Sequence, residues 1–91
     1  MTSNNIALSS LAMDLKRVAL GFHSGSIKTA ERFSDEALKR KNEVDVKNVK
    51  PYIKVFLEKL PKMLKNKDRV AEDSLMYSTI FQNYITHAKG D

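Results

Sequence analysis

Residues 5–22 read NIALSSLAMDLKRVALGF, and this stretch indicates the fold class of the chain. Its bulky apolar residues recur at intervals of three and four, the spacing that places side chains on one face of an α-helix. They are Leu8, Leu11, Leu15, Val18 and Phe22. Gly21 and Gly25 then predict where this first helix ends, because glycine is a poor helix former.

Three more helices are predicted downstream, over residues 26–41, 46–64 and 69–88. Each has apolar residues at helical spacing, and the connections between the helices are short and polar. Pro61 predicts a kink or a break in the third helix, because proline lacks the backbone N–H that the helix needs. No sustained alternation indicates a strand. The chain is therefore predicted to be one all-α domain, a small, mostly antiparallel four-helix bundle.

Six apolar residues are predicted to anchor the core of this bundle. They are Leu15, Phe22, Phe33, Phe56, Leu60 and Phe81. Ile27 and Tyr52 are also predicted to lie on the buried faces of their helices, from the same spacing. Helices of this length are marginal in water alone, so packing of these side chains must supply most of the stability.

The composition excludes several classes of protein. The chain has 91 residues, of which 42% are hydrophobic and 30% charged, a balance typical of a globular domain. The absence of cysteine excludes disulfides and cysteine-based metal sites. No apolar run approaches the ~20 residues that span a bilayer, and the N-terminus lacks the pattern of a secretory signal. We therefore expect a cytoplasmic protein with no membrane partner.

Excess positive charge is concentrated in the middle of the chain. The net charge is +5, yet residues 39–69 carry eleven basic and four acidic side chains. The predicted third helix and the connection after it supply a series of cations: Lys47, Lys50, Lys54, Lys62, Lys65, Lys67 and Arg69. Such a strip is able to bind the phosphates of DNA or RNA in a salt-sensitive, sequence-tolerant way. The alternative is a solvated face that keeps a small protein in solution.

Two helices carry more apolar surface than a simple bundle needs. Ile6, Met13 and Leu20 are spaced by seven, so they form a second stripe on the first helix, opposite Leu15. The fourth helix is apolar around more than half of its circumference, including Met76 and Ile80. Both features predict an interface, in a homodimer or with a helical protein partner. The alternative is that the fourth helix lies at the centre of the bundle.

Residues suited to catalysis or metal binding are few. His23 and His87 are the two histidines, and neither stands at metal-ligand spacing from a carboxylate. We therefore expect no metal, no cofactor and no enzymatic activity. Asp73 is the carboxylate that falls near the apolar side of the fourth helix, where we expect it at the boundary with solvent.

Arg17 and His23, with five residues between them near the end of the first helix, are similar to the Arg-x4–6-His motif of HEPN ribonucleases. Members of that family are small helical bundles that often dimerise. The resemblance covers two residues, and Val18 replaces the polar residue that usually follows the arginine. It implies a metal-independent ribonuclease in which Arg17 binds phosphate and His23 lies close to the scissile bond.

The sequence thus favours a non-enzymatic protein-interaction module that self-associates or binds a partner helix. A sequence-tolerant nucleic-acid-binding protein is the alternative, and a HEPN-like ribonuclease is the remote one.

Overall fold

Four α-helices make up most of the chain in the computed structural model, which describes the backbone of residues 3–90 and the side chains of residues 3–87. They are α1 (Ser3–His23), α2 (Ile27–Glu43), α3 (Pro51–Lys65) and α4 (Val70–Gly90). A single 3-10 turn, Val46–Asn48, lies between α2 and α3, and the described residues contain no strand. The prediction of an all-α four-helix bundle is confirmed.

Contacts between helix ends establish that consecutive helices run antiparallel. Asn4, at the start of α1, exchanges two hydrogen bonds with the backbone of Asp45, just after α2. Tyr52, at the start of α3, contacts Tyr84 near the end of α4 edge to face. α1 and α4 are antiparallel as well, because Asn4 and Asn5 at the start of α1 line a groove with Tyr84 near the end of α4, and Ser78 donates to the carbonyl of Ala12 midway along both helices. No helix within the described part of the chain is long and apolar enough to cross a membrane.

The core lies where α1, α3 and α4 meet, and large apolar side chains fill it. The fully buried ones include Leu8, Leu11, Leu15, Ile53, Leu57, Leu60, Val70 and Phe81. α2 contributes only Ala30 and Ala37 as buried residues. Because these side chains are so small, the backbone of α2 approaches α1 closely, at Gly21 above all.

The third helix differs from its predicted bounds of 46–64. α3 begins at Pro51, because proline suits the first turn of a helix, where its missing N–H is not needed. The residues before it form the 3-10 turn instead, which the Asp45 side chain caps by accepting from the N–H of Lys47. α3 then continues through Pro61 to Lys65 without a break. Burial of Leu60 and Met63 on either side of Pro61 offsets the lost hydrogen bond.

Several predicted core positions lie at the edge of the core. Leu15, Leu60 and Phe81 are fully buried, but Phe22, Phe33 and Phe56 are only partly buried. The predictions for Ile27 and Tyr52 are wrong, because about half of each side chain is exposed. The spacing of apolar residues identifies the inner face of a helix, whereas depth depends on which neighbours cover each residue.

Candidate interaction face on α1 and α4

The solvent side of α1 carries a line of three large apolar side chains. Ile6, Met13 and Leu20 are 55%, 51% and 58% exposed. They are spaced by about two helical turns, so they lie one above another along the helix. The opposite side of α1 is already buried against α2 and α4, which leaves this line facing water.

α4 adds a surface without charge. Residues 74–88 contain no Asp, Glu, Lys or Arg, although 30% of the whole chain is charged. The exposed side chains of this segment on the solvent side of α4 are Leu75, Met76, Thr79, Gln82, Asn83, Thr86 and His87. Leu75 was not among the predicted interface residues, yet it is as exposed as Met76. Ile80, which was among them, is only partly exposed, because it packs against the core one turn from Tyr84.

A shallow groove joins these two surfaces. It is lined by Ala12, Met13, Lys16, Leu75, Ser78, Thr79, Gln82 and Asn83. The buried Ser78 hydroxyl donates to the Ala12 carbonyl at 2.7 Å and so fixes α1 against α4 beneath the groove. Lys16 is the single charged side chain among the described residues that line it. We define the α1/α4 face as Ile6, Met13, Leu20, Leu75, Thr79 and Gln82.

On the other side of α1, Arg17 is held against α2. Its guanidinium lies 3.7 Å from Asp14 and stacks over the ring of Phe33 at 5.3 Å. Asp14 is buried and also faces Arg40, whose Nε lies 4.0 Å from Asp14 Oδ2. The charge of Arg17 is therefore balanced by an internal carboxylate, and Lys16 is the less compensated cation beside the α1/α4 face.

Burial raises the pKa of the Asp14 carboxyl above its ordinary value of 3.8. The attraction of Arg40 and Arg17 opposes this rise without cancelling it, and repulsion from Glu36 adds to it. Asp73, the carboxylate that the sequence places at the boundary with solvent, is partly buried and paired with Arg69 at 3.5 Å. The feature of the sequence that indicates burial of Asp14 is its position between Leu11 and Val18 on the buried side of α1.

The predicted phosphate-binding cations Lys47, Lys50, Lys54, Lys62, Lys65, Lys67 and Arg69 are all exposed. They do not form one straight strip, because Lys47 and Lys50 precede α3 and Glu58 pairs with Lys54 on its solvent side. Arg69 is bound to Glu72 and Asp73. The remaining lysines of this set make no ion pair with a described acidic side chain. Tyr52 is half-exposed on α3, beside these cations, which the sequence reasoning did not anticipate.

The structure does not bring the ribonuclease-like pair together. Arg17 and His23 are six positions apart, which places them about 120° apart around α1. The groove next to Arg17 is lined by residues of α1 and α2 such as Leu20, Ser24 and Phe33, and His23 does not line it. No group of three potential metal ligands occurs among the described residues.

The chain matches no known protein-family model, no curated protein and no solved structure.

Proposed function

We propose that this protein is a non-enzymatic, cytoplasmic protein-interaction module that binds a second chain through its α1/α4 face. The observation that supports this proposal is the coincidence of two features on one side of the molecule. Large apolar side chains are exposed there, and charged side chains are almost absent. The centres of protein interfaces show the same combination, with charged residues depleted and methionine enriched.

The exposed apolar surface also supplies a driving force. Ile6, Met13, Leu20 and Leu75 are each about half exposed in the isolated chain. Covering the rest of one such side chain contributes about 1 kcal/mol, so the four together contribute about 4 kcal/mol for each chain that brings them. Association of two proteins costs about 4–15 kcal/mol or more in lost rotational and translational freedom. Two such faces pressed together contribute about 8 kcal/mol, which lies within that range.

Acidic substitutions on the apolar crest of α1, which consists of Ile6, Met13 and Leu20, are expected to weaken association strongly. Ile6→Asp and Met13→Asp each place a carboxylate where the proposed partner covers the surface, so we expect the dissociation constant to rise at least tenfold. Sedimentation velocity over a range of protein concentrations measures this directly. Circular dichroism checks that each variant keeps its helices, which is expected because both side chains are exposed.

Val55→Asp is the matched control for these two variants. Val55 is 45% exposed, but it lies on the solvent side of α3, away from the α1/α4 face. The Val55→Asp substitution changes the net charge by the same amount as Ile6→Asp or Met13→Asp and should leave association unchanged. A wild-type chain that associates and is unaffected by Ile6→Asp and Met13→Asp would contradict the assignment of the interface to α1 and α4.

A second candidate is sequence-tolerant binding of nucleic acid by α3 and its flanking segments. The observation that favours it is the half-exposed Tyr52 on the same helix as Lys62 and Lys65, which have no described ion-pair partner, because aromatic rings and cations together suit single strands. We expect Lys62→Glu with Lys65→Glu to weaken binding of a short single-stranded RNA or DNA about tenfold or more.

Fluorescence anisotropy at several salt concentrations tests this candidate, because phosphate contacts give an affinity that falls steeply with salt. Lys16→Glu with Lys28→Glu serves as the control, since these are exposed lysines of α1 and α2 and the pair changes the net charge by the same amount. Equal weakening by the control would indicate a general effect of net charge, and no binding at low salt would eliminate the candidate.

A further inference from the structure

The apolar crest of α1 is arranged symmetrically around Met13. Ile6 and Leu20 lie seven residues before and after it, about 10 Å away in each direction along the helix. A two-fold axis through Met13, at a right angle to α1, therefore places Ile6 of one copy against Leu20 of the other. We propose that the partner is a second copy of this chain, docked with the two α1 helices antiparallel. This inference rests on the proposed interaction function.

The charges beside the crest select the antiparallel arrangement. Lys16 and Arg17 both follow Met13, and the residues at matching positions before it are Ser9 and Ser10. In the antiparallel dimer, each copy's Lys16 and Arg17 lie opposite the serines of the partner subunit. In a parallel dimer, Lys16 of each copy would lie beside Arg17 of the partner subunit, and two such pairs of like charges repel.

α4 extends the same interface on one side of α1. It packs along the side of α1 that carries Lys16, and the Ser78–Ala12 hydrogen bond sets the middle of α4 level with Met13. The two-fold axis then places both α4 helices on the same side of the α1 pair. Their uncharged exposed sides face each other there, with Leu75 and Thr79 close to the axis.

The opposite side of α1 is unsuited to this contact. The exposed side chains of α2 are largely charged and include Lys28, Glu31, Arg32, Asp35 and Lys39. Charged residues are typical of an interface rim rather than its centre. The interface is therefore centred between α1 and α4, with α2 at its edge.

The size of this face suits a stable dimer. The longest dimension of the protein is 39 Å, and two adjacent helices are about 20 Å wide. A face of that length and width has a footprint on the order of 800 Å², which gives room for the roughly 800 Å² of accessible surface that each partner buries in an interface of standard size.

Cross-linking between single cysteines tests the arrangement, and the chain has no cysteine of its own to interfere. The variants are Ile6→Cys, Met13→Cys and Leu20→Cys, treated with a short bismaleimide at a concentration where the chain associates. We expect Met13→Cys to cross-link with itself. We expect a mixture of Ile6→Cys and Leu20→Cys to give at least tenfold more cross-linked dimer than either variant alone. Val55→Cys, exposed on α3, is the control and should give none.

Other outcomes separate this inference from the proposed function. Cross-linking of Ile6→Cys with itself, at least as strong as in the mixture, overturns the antiparallel arrangement and leaves the interaction face intact. A wild-type chain that is monomeric at every concentration overturns the proposal that the partner is a second copy of this chain. A dimer that neither Ile6→Asp nor Met13→Asp weakens overturns the interaction face and this inference together.

Discussion

Replacing Gly21 by leucine is expected to lower the free energy of unfolding by about 3 kcal/mol. Gly21 lies at a close approach of α1 to α2. A Cβ atom added there would lie 2.8 Å from the backbone nitrogen of Ala30 and 3.0 Å from its Cα. Backbone atoms cannot rotate away as a side chain can, so the two helices would have to separate. A loss of this size is a large fraction of the 5–15 kcal/mol that stabilises a typical domain.

Gly25→Ala separates this steric effect from a general intolerance of glycine replacement. A Cβ atom at Gly25 would meet nothing within 4 Å. The residue has a φ of +77°, however, a backbone conformation that residues other than glycine disfavour. We expect that variant to lose only about 1 kcal/mol, through backbone strain alone. Chemical denaturation with urea measures both values. If Gly21→Leu loses no more than Gly25→Ala, then α1 and α2 are not in close contact at this point.

The fold followed from the sequence because its strongest signal is periodic. A chain whose apolar residues recur at intervals of three and four, from Leu8 to Phe22, has few structures that bury them other than packed helices. The exposure of Ile6, Met13 and Leu20 followed by the same logic. Their stripe lies opposite the buried one, and one helix in a small bundle seldom buries both sides.

Depth and neighbours were harder to predict. Phe33 has the spacing of a core residue and packs against the core, yet it is only partly buried, and the guanidinium groups of Arg17 and Arg32 lie over its ring. Ile80 was predicted to lie at the interface and Leu75 was not, yet Leu75 is exposed and Ile80 is partly buried. The α4 sequence is apolar on so many sides that only the positions of α1 and α3 decide which residues are exposed. Asp14 was overlooked as a buried group for the same reason, since its burial depends on how closely α2 packs.

Asp14→Asn is expected to raise the stability of the protein at neutral pH, although it removes a carboxylate that faces two arginines. Asp14 Oδ2 and Arg40 Nε are both buried, and neither has a hydrogen-bond partner among the described residues. At 4.0 Å they attract each other but are too far apart for a hydrogen bond. Burial therefore outweighs the attraction of Arg40 and Arg17, and the carboxyl pKa in the folded chain is raised.

The sign of the pH dependence follows from that direction. The folded chain holds the Asp14 proton more tightly than the unfolded chain, so this group contributes stability below pH 3.8, its ordinary pKa, and that contribution is lost as the pH rises through the folded pKa. Each tenfold difference in proton affinity between the two states corresponds to about 1.4 kcal/mol. Asparagine resembles the protonated carboxyl, so the variant and the wild type should be equally stable in acid and diverge toward neutral pH.

Glu43→Gln is the matched control for Asp14→Asn. It also removes one negative charge from a partner of Arg40, at 3.2 Å, but Glu43 is exposed. Surface ion pairs contribute little, so its stability at pH 7 should stay within about 0.5 kcal/mol of the wild type. Urea denaturation of all three proteins at pH 3 and pH 7 makes the comparison. A loss of stability in Asp14→Asn at pH 7 that is absent at pH 3 would show instead that the attraction of the arginines to the ionised carboxylate exceeds the penalty of burying it.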